Sequence, residues 1–459
     1  MKVNIKMFQV GELGDCFLLK FIDGEKKSHV LIDCGSFRNS NKSKERLQKI
    51  VKHILDNELS GGLLDLVVAT HQHNDHVSGF LHAADLFKDK VKQVWLPWLD
   101  DPRDPPANKL RLKQQNLLDK MGVIYQHLQQ KNLQEGFPIT KDILDFYGAT
   151  DDGPAVPLEA MKILRKMGKK PVKYLEPGTV ENIPRFTQKQ LKAYVLGPPR
   201  NPAFLYDITA NKDETYDHKL ELAFSGAEKL AHALENKNGI TGREEQQFPF
   251  NLHYKRSKEK IDSAFIGLYD DPRNDYRTID SDWLNQVERL ALYMDSYTNN
   301  SSLVLAFELV ESQKVLLFVG DAQTGNWNSW KTLEWKGAHR DFNIRNMLQN
   351  TVLYKVGHHA SHNASLKEAI EDMTHEDLVA LIPVDRTDGN ITKTNGWKMP
   401  AKNLYKKLKT AAKHRVLVMD VGFDDDCRPD NGTTGWSELS AAEPEYNEDD
   451  LYISITVED

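Results

Sequence analysis

Short blocks of apolar residues, separated by polar turns, run through the first hundred residues. Blocks that alternate or run continuously over about four to eight positions predict β-strands. They lie at residues 3–10, 17–22, 29–33, 65–69 and 91–96. Apolar residues recur at helical spacing in 43–57 and again near 80–88, which predicts two helices. This part of the chain is therefore expected to form a sheet with helices packed against it.

The last third of the chain shows the same alternation of strand and helix patterns. A hairpin is predicted between 302 and 321, and the alternating run 451–457 predicts a final strand at a sheet edge. Between them, strands are predicted at 352–356, 378–384 and 415–420 and helices at 341–350, 365–372 and 402–412. Sheets flanked by helices in both parts of the chain predict a layered α/β sandwich.

A long polar segment separates the two strand-rich parts. It opens with the sharp break Asp101-Pro102-Arg103-Asp104-Pro105-Pro106 and favours helices at 109–129 and 158–167. A structureless connection of this length is uncommon, so we expect a folded insertion. The predicted organisation is a first half of the core at 1–100, an insertion at 101–295 with core strands at 170–200, and a second half at 296–459.

Charge is unevenly distributed along the chain. The stretch 162–173 holds six basic residues and no acidic one. A solvated helix face explains such a run most simply, and contact with a phosphate backbone is the functional alternative. The acidic stretches 424–426 and 443–450 are interpreted as solvated loops. The net charge of the protein is −7, so its overall charge does not favour binding to nucleic acid. A local basic strip is nevertheless compatible with binding one strand or a nucleotide.

The most informative motif follows the fourth predicted strand and reads Thr70-His71-Gln72-His73-Asn74-Asp75-His76. Three imidazoles and a carboxylate are costly to bury without a cation, so a metal site is expected. His71 and His73 are expected to project to one side and chelate one ion, whereas Asp75 and His76, on the following turn, face a second. The motif contains no cysteine, which favours zinc, manganese or iron over a structural thiolate site.

This motif, placed after a buried strand, resembles that of the metallo-β-lactamase fold superfamily. Three further stretches match the family's motifs in order, and each ends an apolar run. They are Val30-Leu31-Ile32-Asp33-Cys34-Gly35, Leu316-Leu317-Phe318-Val319-Gly320-Asp321 and Tyr354-Lys355-Val356-Gly357-His358-His359-Ala360-Ser361. A strand ending in Gly-Asp is common by itself, but the four motifs together are specific. The resemblance implies a four-layer αββα sandwich with a large helical insertion.

The resemblance also implies a dinuclear centre with two divalent ions, Zn²⁺ or Mn²⁺. Its ligands would be His71 and His73 on the first ion, Asp75, His76 and His358 on the second, and Asp321 on both. Two ions bridged in this way generate a hydroxide nucleophile near neutral pH.

Three residues of these motifs are implied to have further roles. Asp33 would orient a ligand histidine without binding metal itself. Asp75 would orient the nucleophile in addition to binding the second ion. His359 would either replace His358 as the ligand or donate a proton to the leaving group. His358 is preferred as the ligand because it comes first after the strand.

A further histidine, which completes the first metal site in many members of the superfamily, is missing. The candidates do not stand at clean strand ends: His82, His127, His218, His232 and His253. This absence is typical of the metallo-β-lactamase-like domain of bacterial competence DNA-uptake channel proteins and their free-standing relatives. Gly14-Asp15-Cys16-Phe17-Leu18-Leu19, Asn300-Ser301-Ser302 and the doubled His358-His359 are similar to that branch. The first ion is therefore expected to bind more weakly and to keep a position open to water.

Composition favours a cytoplasmic enzyme. Hydrophobic residues make up 40% of the chain, enough for a sizeable core, and no apolar run is long enough to span a membrane. The N-terminus lacks the apolar core of a signal peptide. Cys16, Cys34 and Cys427 cannot form a disulfide framework, and Cys16 and Cys34 are interpreted as small core residues.

The leading hypothesis is a metal-dependent phosphodiesterase or nuclease that acts on nucleic acid or nucleotides. The similar branch is tied to nucleic-acid processing, and hard phosphate oxygens suit a two-metal site. One alternative is a hydrolase of a carbonyl substrate such as a lactone, thioester or β-lactam. Another is a non-catalytic metal-binding scaffold that binds a protein partner through the insertion. Asn300 and Ser361 are candidates for lying near the substrate or for a turn or cap role, and Trp397-Lys398-Met399-Pro400 is interpreted as packing.

Overall fold

The computed structural model describes residues 1–130, 138–147, 155–207, 256–269, 271, 273, 285–335, 339, 342–392, 397–420, 444–446 and 451–459. Several residues singled out from the sequence lie outside this description: His218, His232, His253, Cys427, the stretch 424–426 and most of 443–450. The side chain of His127 lies outside it as well.

Two β-sheets form the centre of the described structure. Their strands are β1 (Lys2–Phe8), β2 (Cys16–Asp23), β3 (Lys26–Cys34), β4 (Leu66–Val68), β5 (Val94–Pro97), β6 (Lys173–Leu175), β7 (Val180–Glu181), β8 (Leu191–Gly197), β9 (Val304–Leu309), β10 (Val315–Phe318), β11 (Thr351–Lys355), β12 (Val379–Ile382), β13 (Val416–Val418), β14 (Glu445–Tyr446) and β15 (Tyr452–Glu458). The first sheet has the order β14-β15-β1-β2-β3-β4-β5-β6, and the second β13-β12-β11-β10-β9-β8-β7.

Each sheet has an antiparallel part and a parallel part. Strands β3 to β6 run parallel in the first sheet, and β10 to β13 run parallel in the second. Parallel strands deliver their carboxyl ends to the same edge of a sheet, where ligand sites commonly form. The metal motifs follow β3, β4, β10 and β11, so this topology gathers them at one edge of each sheet.

The two sheets pack face to face around apolar side chains. Phe17 of the first sheet meets Phe318 of the second with ring centroids 5.6 Å apart, and Phe21 meets Phe307 at 5.7 Å. Apolar strand residues from both sheets are buried in a single cluster, as expected for two sheets packed face to face.

Helices account for most of the remaining described residues. The α-helices are Asn41–His53, Asn74–His82, Ala84–Phe87, Pro105–Gln130, Pro138–Phe146, Val156–Met167, Pro202–Leu205, Ser263–Tyr269, Asn285–Asn300, Thr324–Ser329, Ile344–Gln349, Lys367–Asp372, Gly389–Thr392 and Lys402–Ala411. Leu47 and Val51 pack with the first sheet's core, whereas Ile370 and Leu408 pack with residues of the second sheet. The predicted α/β class, with two sheets and flanking helices, is confirmed. None of the described helices is both long and apolar enough to cross a membrane.

The chain divides into two compact units. The first comprises 1–109, 145–212 and 296–459 and contains both sheets, including β6, β7 and β8. The second comprises 110–144 and 213–295, and its described residues are mainly helical.

Two predicted elements were wrong. Strand β15 is not at an edge, because it pairs with β1 along seven residues and with the two-residue strand β14 on its other side. The helix predicted near 80–88 is two helices, Asn74–His82 and Ala84–Phe87. The first begins earlier than predicted, so Asp75 and His76 lie in its first turn rather than in a connecting turn. The apolar residues Val77 and Phe80 extend the buried helix face back toward the motif, which explains the earlier start.

Candidate metal centre

Four buried side chains converge at the edge where the parallel strands end. They are Asp15, His76, Asp321 and His359, and one potential ligand atom from each lies within 4.8 Å of the others. We call this set the Asp15 cluster. It joins residues from both sheets: Asp15 precedes β2, His76 follows β4, Asp321 follows β10 and His359 follows β11.

Asp75 borders the Asp15 cluster. Its Oδ2 lies 2.9 Å from Nε2 of His359 and 3.6 Å from Nε2 of His76. Oδ2 of Asp321 lies 3.2 Å from the same His76 nitrogen and 3.4 Å from that of His359. Two carboxylates and two imidazole nitrogens therefore face one small volume.

Asp33 determines which nitrogen of His76 enters that volume. Its carboxylate accepts hydrogen bonds from the backbone N and the Oγ1 of Thr70, at 2.8 and 2.7 Å. It also lies 2.8 Å from Nδ1 of His76, so Nε2 is the nitrogen that faces Asp321. A carboxylate that fixes the orientation of a histidine in this way is typical of metal sites.

Two glycines permit the close backbone approaches on which the centre depends. A Cβ on Gly35 would lie 2.4 Å from backbone atoms of Asp75 and His76. Gly320, directly before Asp321, has a φ of +54°, and a Cβ there would lie 2.9 Å from the Thr70 side chain. Both positions therefore require the residue without a Cβ.

Two residues of the centre were missed in the sequence analysis. Lys355, the last residue of β11, is buried, and its Nζ contacts the Asp15 carboxylate. The same Nζ donates to the Gly320 carbonyl at 2.8 Å and lies 3.4 Å from Oδ1 of Asp321. A lysine ending an otherwise apolar strand was the available signal, because a buried lysine requires an anionic partner. For Asp15, the signal was the Gly14-Asp15-Cys16 motif.

His71 and His73 form a second group, which we call the His71–His73 pair. Nε2 of His71 lies 3.2 Å from Nδ1 of His73. Nδ1 of His71 lies 3.1 Å from Oγ1 of Thr70 and 3.3 Å from Oγ of Ser302. The His73 ring centroid lies 5.2 Å from that of Phe146 and 5.3 Å from that of Tyr147, so aromatic residues border this pair.

Burial lowers the pKa of the histidines in both groups, but their charged neighbours shift the pKa in opposite directions in the two groups. Burial, together with neighbouring His76 and His73, holds the pKa of His71 well below its ordinary value. Burial opposes protonation of His359 as well, but Asp321 and Asp75 raise its pKa to about 9. Asp321 and Asp15 likewise raise the pKa of His76 well above its ordinary value, against the effect of burial. The carboxylates around His76 and His359 thus stabilise positive charge, whereas the surroundings of His71 disfavour it.

The doubled histidine is divided between two environments. His359 is fully buried in the Asp15 cluster, and its Nδ1 lies 2.8 Å from the carbonyl oxygen of Pro383. His358 is half-buried and points elsewhere, with Nδ1 2.8 Å from Oγ of Ser361 and 3.0 Å from Nε2 of Gln323. Its backbone N–H donates to Oδ1 of Asp321 at 3.1 Å. This geometry favours His359 as a ligand, the reverse of the preference drawn from residue order.

Backbone conformation produces that division. His358, His359 and Ala360 have φ values of 41°, 48° and 63°, a run of left-handed residues that directs the two rings apart. Non-glycine residues held in this conformation cluster at functional sites, where the surrounding structure compensates the strain.

The chemistry of the donor set fits a divalent cation. Nε2 of His76 and Oδ1 of Asp75 are buried and have no hydrogen-bond partner among the described residues. Buried polar atoms are normally satisfied, and these two border the volume enclosed by the Asp15 cluster. Imidazole nitrogen and carboxylate oxygen suit zinc and manganese.

The remaining candidates lie outside the centre. His82 Nε2 lies 2.9 Å from Oδ1 of Asn39. The Asn300 side chain donates to the carbonyls of Leu205 and Asp207, and accepts from the backbone N–H of Gln323, as expected for a turn or cap role.

Two other groups complete the comparison with the sequence. Cys16 and Cys34 are buried free thiols opposite one another on β2 and β3. In the basic stretch 162–173, Arg165 pairs with Asp100 at 3.2 Å.

Comparison with known families gives one match. Residues 11–151 match the family model of the metallo-beta-lactamase superfamily. No curated protein matches the chain. The matched residues include Asp15, Asp33 and the whole His71–His76 motif, whereas Asp321, Lys355 and His359 lie beyond them and join the centre through the fold. The match and the buried Asp/His cluster together indicate a metal-dependent hydrolase; kinship with the competence-protein branch stays a prediction.

Proposed function

We propose that this metallo-β-lactamase superfamily domain belongs to a metal-dependent phosphodiesterase or nuclease acting on nucleic acid or nucleotides. The observation that carries the proposal is the carboxylate-rich composition of the centre, where Asp15, Asp75 and Asp321 accompany the histidines. Hard oxygen donors favour hard divalent ions, which in turn bind phosphate oxygens well. Hydrolysis of phosphodiesters is a reaction for which paired ions are well suited.

Charge balance supports two ions. Four carboxylates are buried at the centre, and one buried ammonium, that of Lys355, faces them. They are Asp15, Asp33, Asp75 and Asp321. With the histidines neutral, four negative charges and one positive charge leave three negative charges in a low-dielectric site, and one divalent ion leaves one of these uncompensated. A second ion, at the His71–His73 pair, brings the centre close to neutrality once an anionic nucleophile is present.

Short distances support one part of the ligand assignment: Asp75, His76, His359 and Asp321 would hold one ion. His71 and His73 would hold the other ion, and the sharing of Asp321 between the two ions rests on the resemblance. Bound divalent ions supply a water molecule of lowered pKa and polarise the oxygens of the substrate. Lys355, whose ammonium group contacts the Asp15 carboxylate, would offset part of the negative charge of this ligand set.

The chain's own side chains orient the ligands and move protons. Asp33 keeps Nε2 of His76 directed at the centre. Oδ1 of Asp75, which is buried and has no hydrogen-bond partner among the described residues, would accept a proton from the attacking water. His358, which is half-buried with Nδ1 2.8 Å from Oγ of Ser361, would hydrogen-bond a substrate that reaches beyond the Asp15 cluster.

A substrate panel tests the proposal. The full chain, supplied with Mn²⁺ or Zn²⁺, is incubated with single- and double-stranded DNA, RNA, cyclic dinucleotides, bis-p-nitrophenyl phosphate, a lactone and a chromogenic β-lactam. We expect hydrolysis of at least one phosphodiester, and its loss in Asp321→Asn. Hydrolysis of the lactone or lactam, with every phosphodiester left intact, would overturn the proposal.

Measuring the metal content of two variants distinguishes His358 from His359 as the ligand. His359→Ala is expected to lose bound metal, whereas His358→Ala keeps its metal content and loses activity. The opposite pattern would restore His358 as the ligand.

A further inference from the structure

The segment from Trp397 to Lys402 lies directly beside the metal centre. The Trp397 ring stacks on Phe146 with centroids 5.6 Å apart, and Phe146 in turn lies 5.2 Å from His73. Farther along the segment, the backbone N–H of Ala401 donates to the carbonyl of Ala360 at 2.8 Å, one residue after His359. The segment is therefore anchored beside both the His71–His73 pair and the Asp15 cluster.

Trp397 is only partly covered by these contacts. Its ring also meets Phe37 edge-on, at 5.0 Å, yet the residue is half-buried rather than buried. The next residue, Lys398, is exposed. An aromatic surface beside a cation is the combination that single-stranded nucleic acids bind, with a base on the ring and a phosphate on the lysine.

A stripe of lysines continues from this point along the helix Lys402–Ala411. Lys402, Lys406 and Lys409 are spaced by four and three residues, which places their side chains on one face of the helix, and Lys413 lies two residues beyond its end. Lys402 and Lys406 are exposed, whereas Leu408 on the opposite face is buried. The helix contains no acidic residue. Successive lysines within the helix are separated by a rise of about 4.5–6 Å along its axis.

We propose that Trp397 and this lysine stripe bind single-stranded nucleic acid and lead it to the metal centre. A base would lie against Trp397, and the backbone phosphates would follow Lys398, Lys402 and Lys406. The inference deepens the proposed function and rests on it, because it specifies which phosphodiesters reach the site. A single strand is favoured over a duplex, since the faces of paired bases are stacked and closed to an aromatic side chain.

Binding is measured first, independently of turnover. The Asp321→Asn form of the full chain is titrated into a labelled single-stranded oligonucleotide, and fluorescence anisotropy is followed over a range of salt concentrations. Adding Lys402→Gln and Lys406→Gln should weaken binding about tenfold or more and reduce the slope of log affinity against log salt by about 1.4. Trp397→Ala should weaken binding about five- to one-hundred-fold, and Trp397→Phe should retain most of it.

A matched control removes the same charge elsewhere. Lys26 and Lys27 are exposed at the turn between β2 and β3, the end of that hairpin opposite Asp15 and Asp33. Lys26→Gln with Lys27→Gln should leave affinity and salt slope unchanged. An equal loss in this control, or no loss in the stripe variant, would refute the lysine stripe as the binding surface.

Turnover then separates this inference from the proposed function. In the Mn²⁺-supplied chain with Asp321 intact, the stripe variant should lose kcat/KM on the oligonucleotide and keep it on bis-p-nitrophenyl phosphate. Equal losses on both substrates would mean that the segment only supports the centre. Failure of the intact chain to hydrolyse any phosphodiester would refute the proposed function, while the anisotropy result would still decide the binding surface. A duplex bound as tightly as the single strand would exclude a base on Trp397.

Discussion

The Asp15 cluster and the His71–His73 pair lie side by side, but their side chains differ in chemistry. The cluster combines carboxylates with histidines whose pKa values are raised, and a buried lysine, Lys355, offsets part of its negative charge. The pair consists of two imidazoles, and the pKa of His71 is held well below its ordinary value. A cation should therefore bind the cluster tightly and the pair weakly.

The two regions also differ in how far apart their residues lie along the chain. The cluster is assembled from four separate parts of the chain and cannot form before both sheets pack. The pair comes from residues two apart on one loop, so local geometry alone brings its nitrogens within 3.2 Å. Unfolding should abolish metal binding at the Asp15 cluster and leave weak metal affinity at the His71–His73 pair.

The largest effect is expected from removing Asp321, which contacts the histidines of the cluster and whose charge also acts on His71. Asp321→Asn should lower activity by about 10²–10³-fold, the cost of losing a single group that stabilises the transition state. It should also lower the number of bound ions, measured by elemental analysis after dialysis. The control is Asp65→Asn, which removes another buried carboxylate, one that pairs with Lys92 at 2.6 Å and is no part of the centre. Asp65→Asn should destabilise the fold and keep the metal content of the parent protein. Metal loss in both variants would show that Asp321→Asn loses metal because the fold is destabilised, and not because a ligand is removed.

Lys355→Met tests whether the cluster's charge is balanced by the lysine. Without metal, the variant leaves Asp15 and Asp321 facing one another in a buried site, which should cost about 3–5 kcal/mol in the free energy of unfolding. Added Mn²⁺ should recover more stability than in the parent protein, because the ion replaces the missing positive charge. Urea unfolding with and without Mn²⁺ measures both, with Lys355→Arg as the charge-conserving control. An identical loss with and without metal would make Lys355 a packing residue.

In the metal-free protein the two regions should respond to pH with opposite signs. His359 has its pKa raised to about 9, so the stability that it contributes is fully present below its unfolded value near 6.5 and is lost as pH rises through about 9. That contribution is about 3 kcal/mol. His71, with a lowered pKa, costs stability as pH falls below about 6.5 instead.

The measurement is urea unfolding in EDTA between pH 5 and 9.5, compared with His359→Gln. The variant should lose part of the alkaline pH dependence and keep the acidic part, because His76, whose pKa is also raised, still contributes at alkaline pH. An unchanged alkaline slope would show that His359 is not the titrating group.

The smallest expected effect concerns the pair. His73→Ala should weaken one of two ion-binding steps by about ten- to one-hundred-fold and leave the tighter step unchanged. Calorimetric titration of the metal-free protein with Mn²⁺ resolves the two steps, and His76→Ala should weaken the tighter one. Equal weakening of both steps by His73→Ala would show that the regions bind as one site.

Much of the fold and part of the centre were predictable from local patterns. The apolar runs before Asp33, the His71–His76 motif and Asp321 predicted strands that end at chemically active residues, and the structure has strands there. Such predictions succeed because period and length are local properties of the chain. The match to a known superfamily model ends at residue 151 and so covers only one side of the centre.

The sequence by itself determined the candidate donors that are close along the chain, because their spacing after a strand limits where they can point: His71, His73, Asp75 and His76. The tertiary structure alone decided the rest. Asp15 and Lys355 enter the centre because β2 and β11 belong to sheets that pack against each other. Left-handed backbone at 358–360 directs His359, rather than His358, into the cluster. Both outcomes depend on pairing between distant strands and on dihedral angles that such packing imposes, and neither leaves a periodic trace in the sequence.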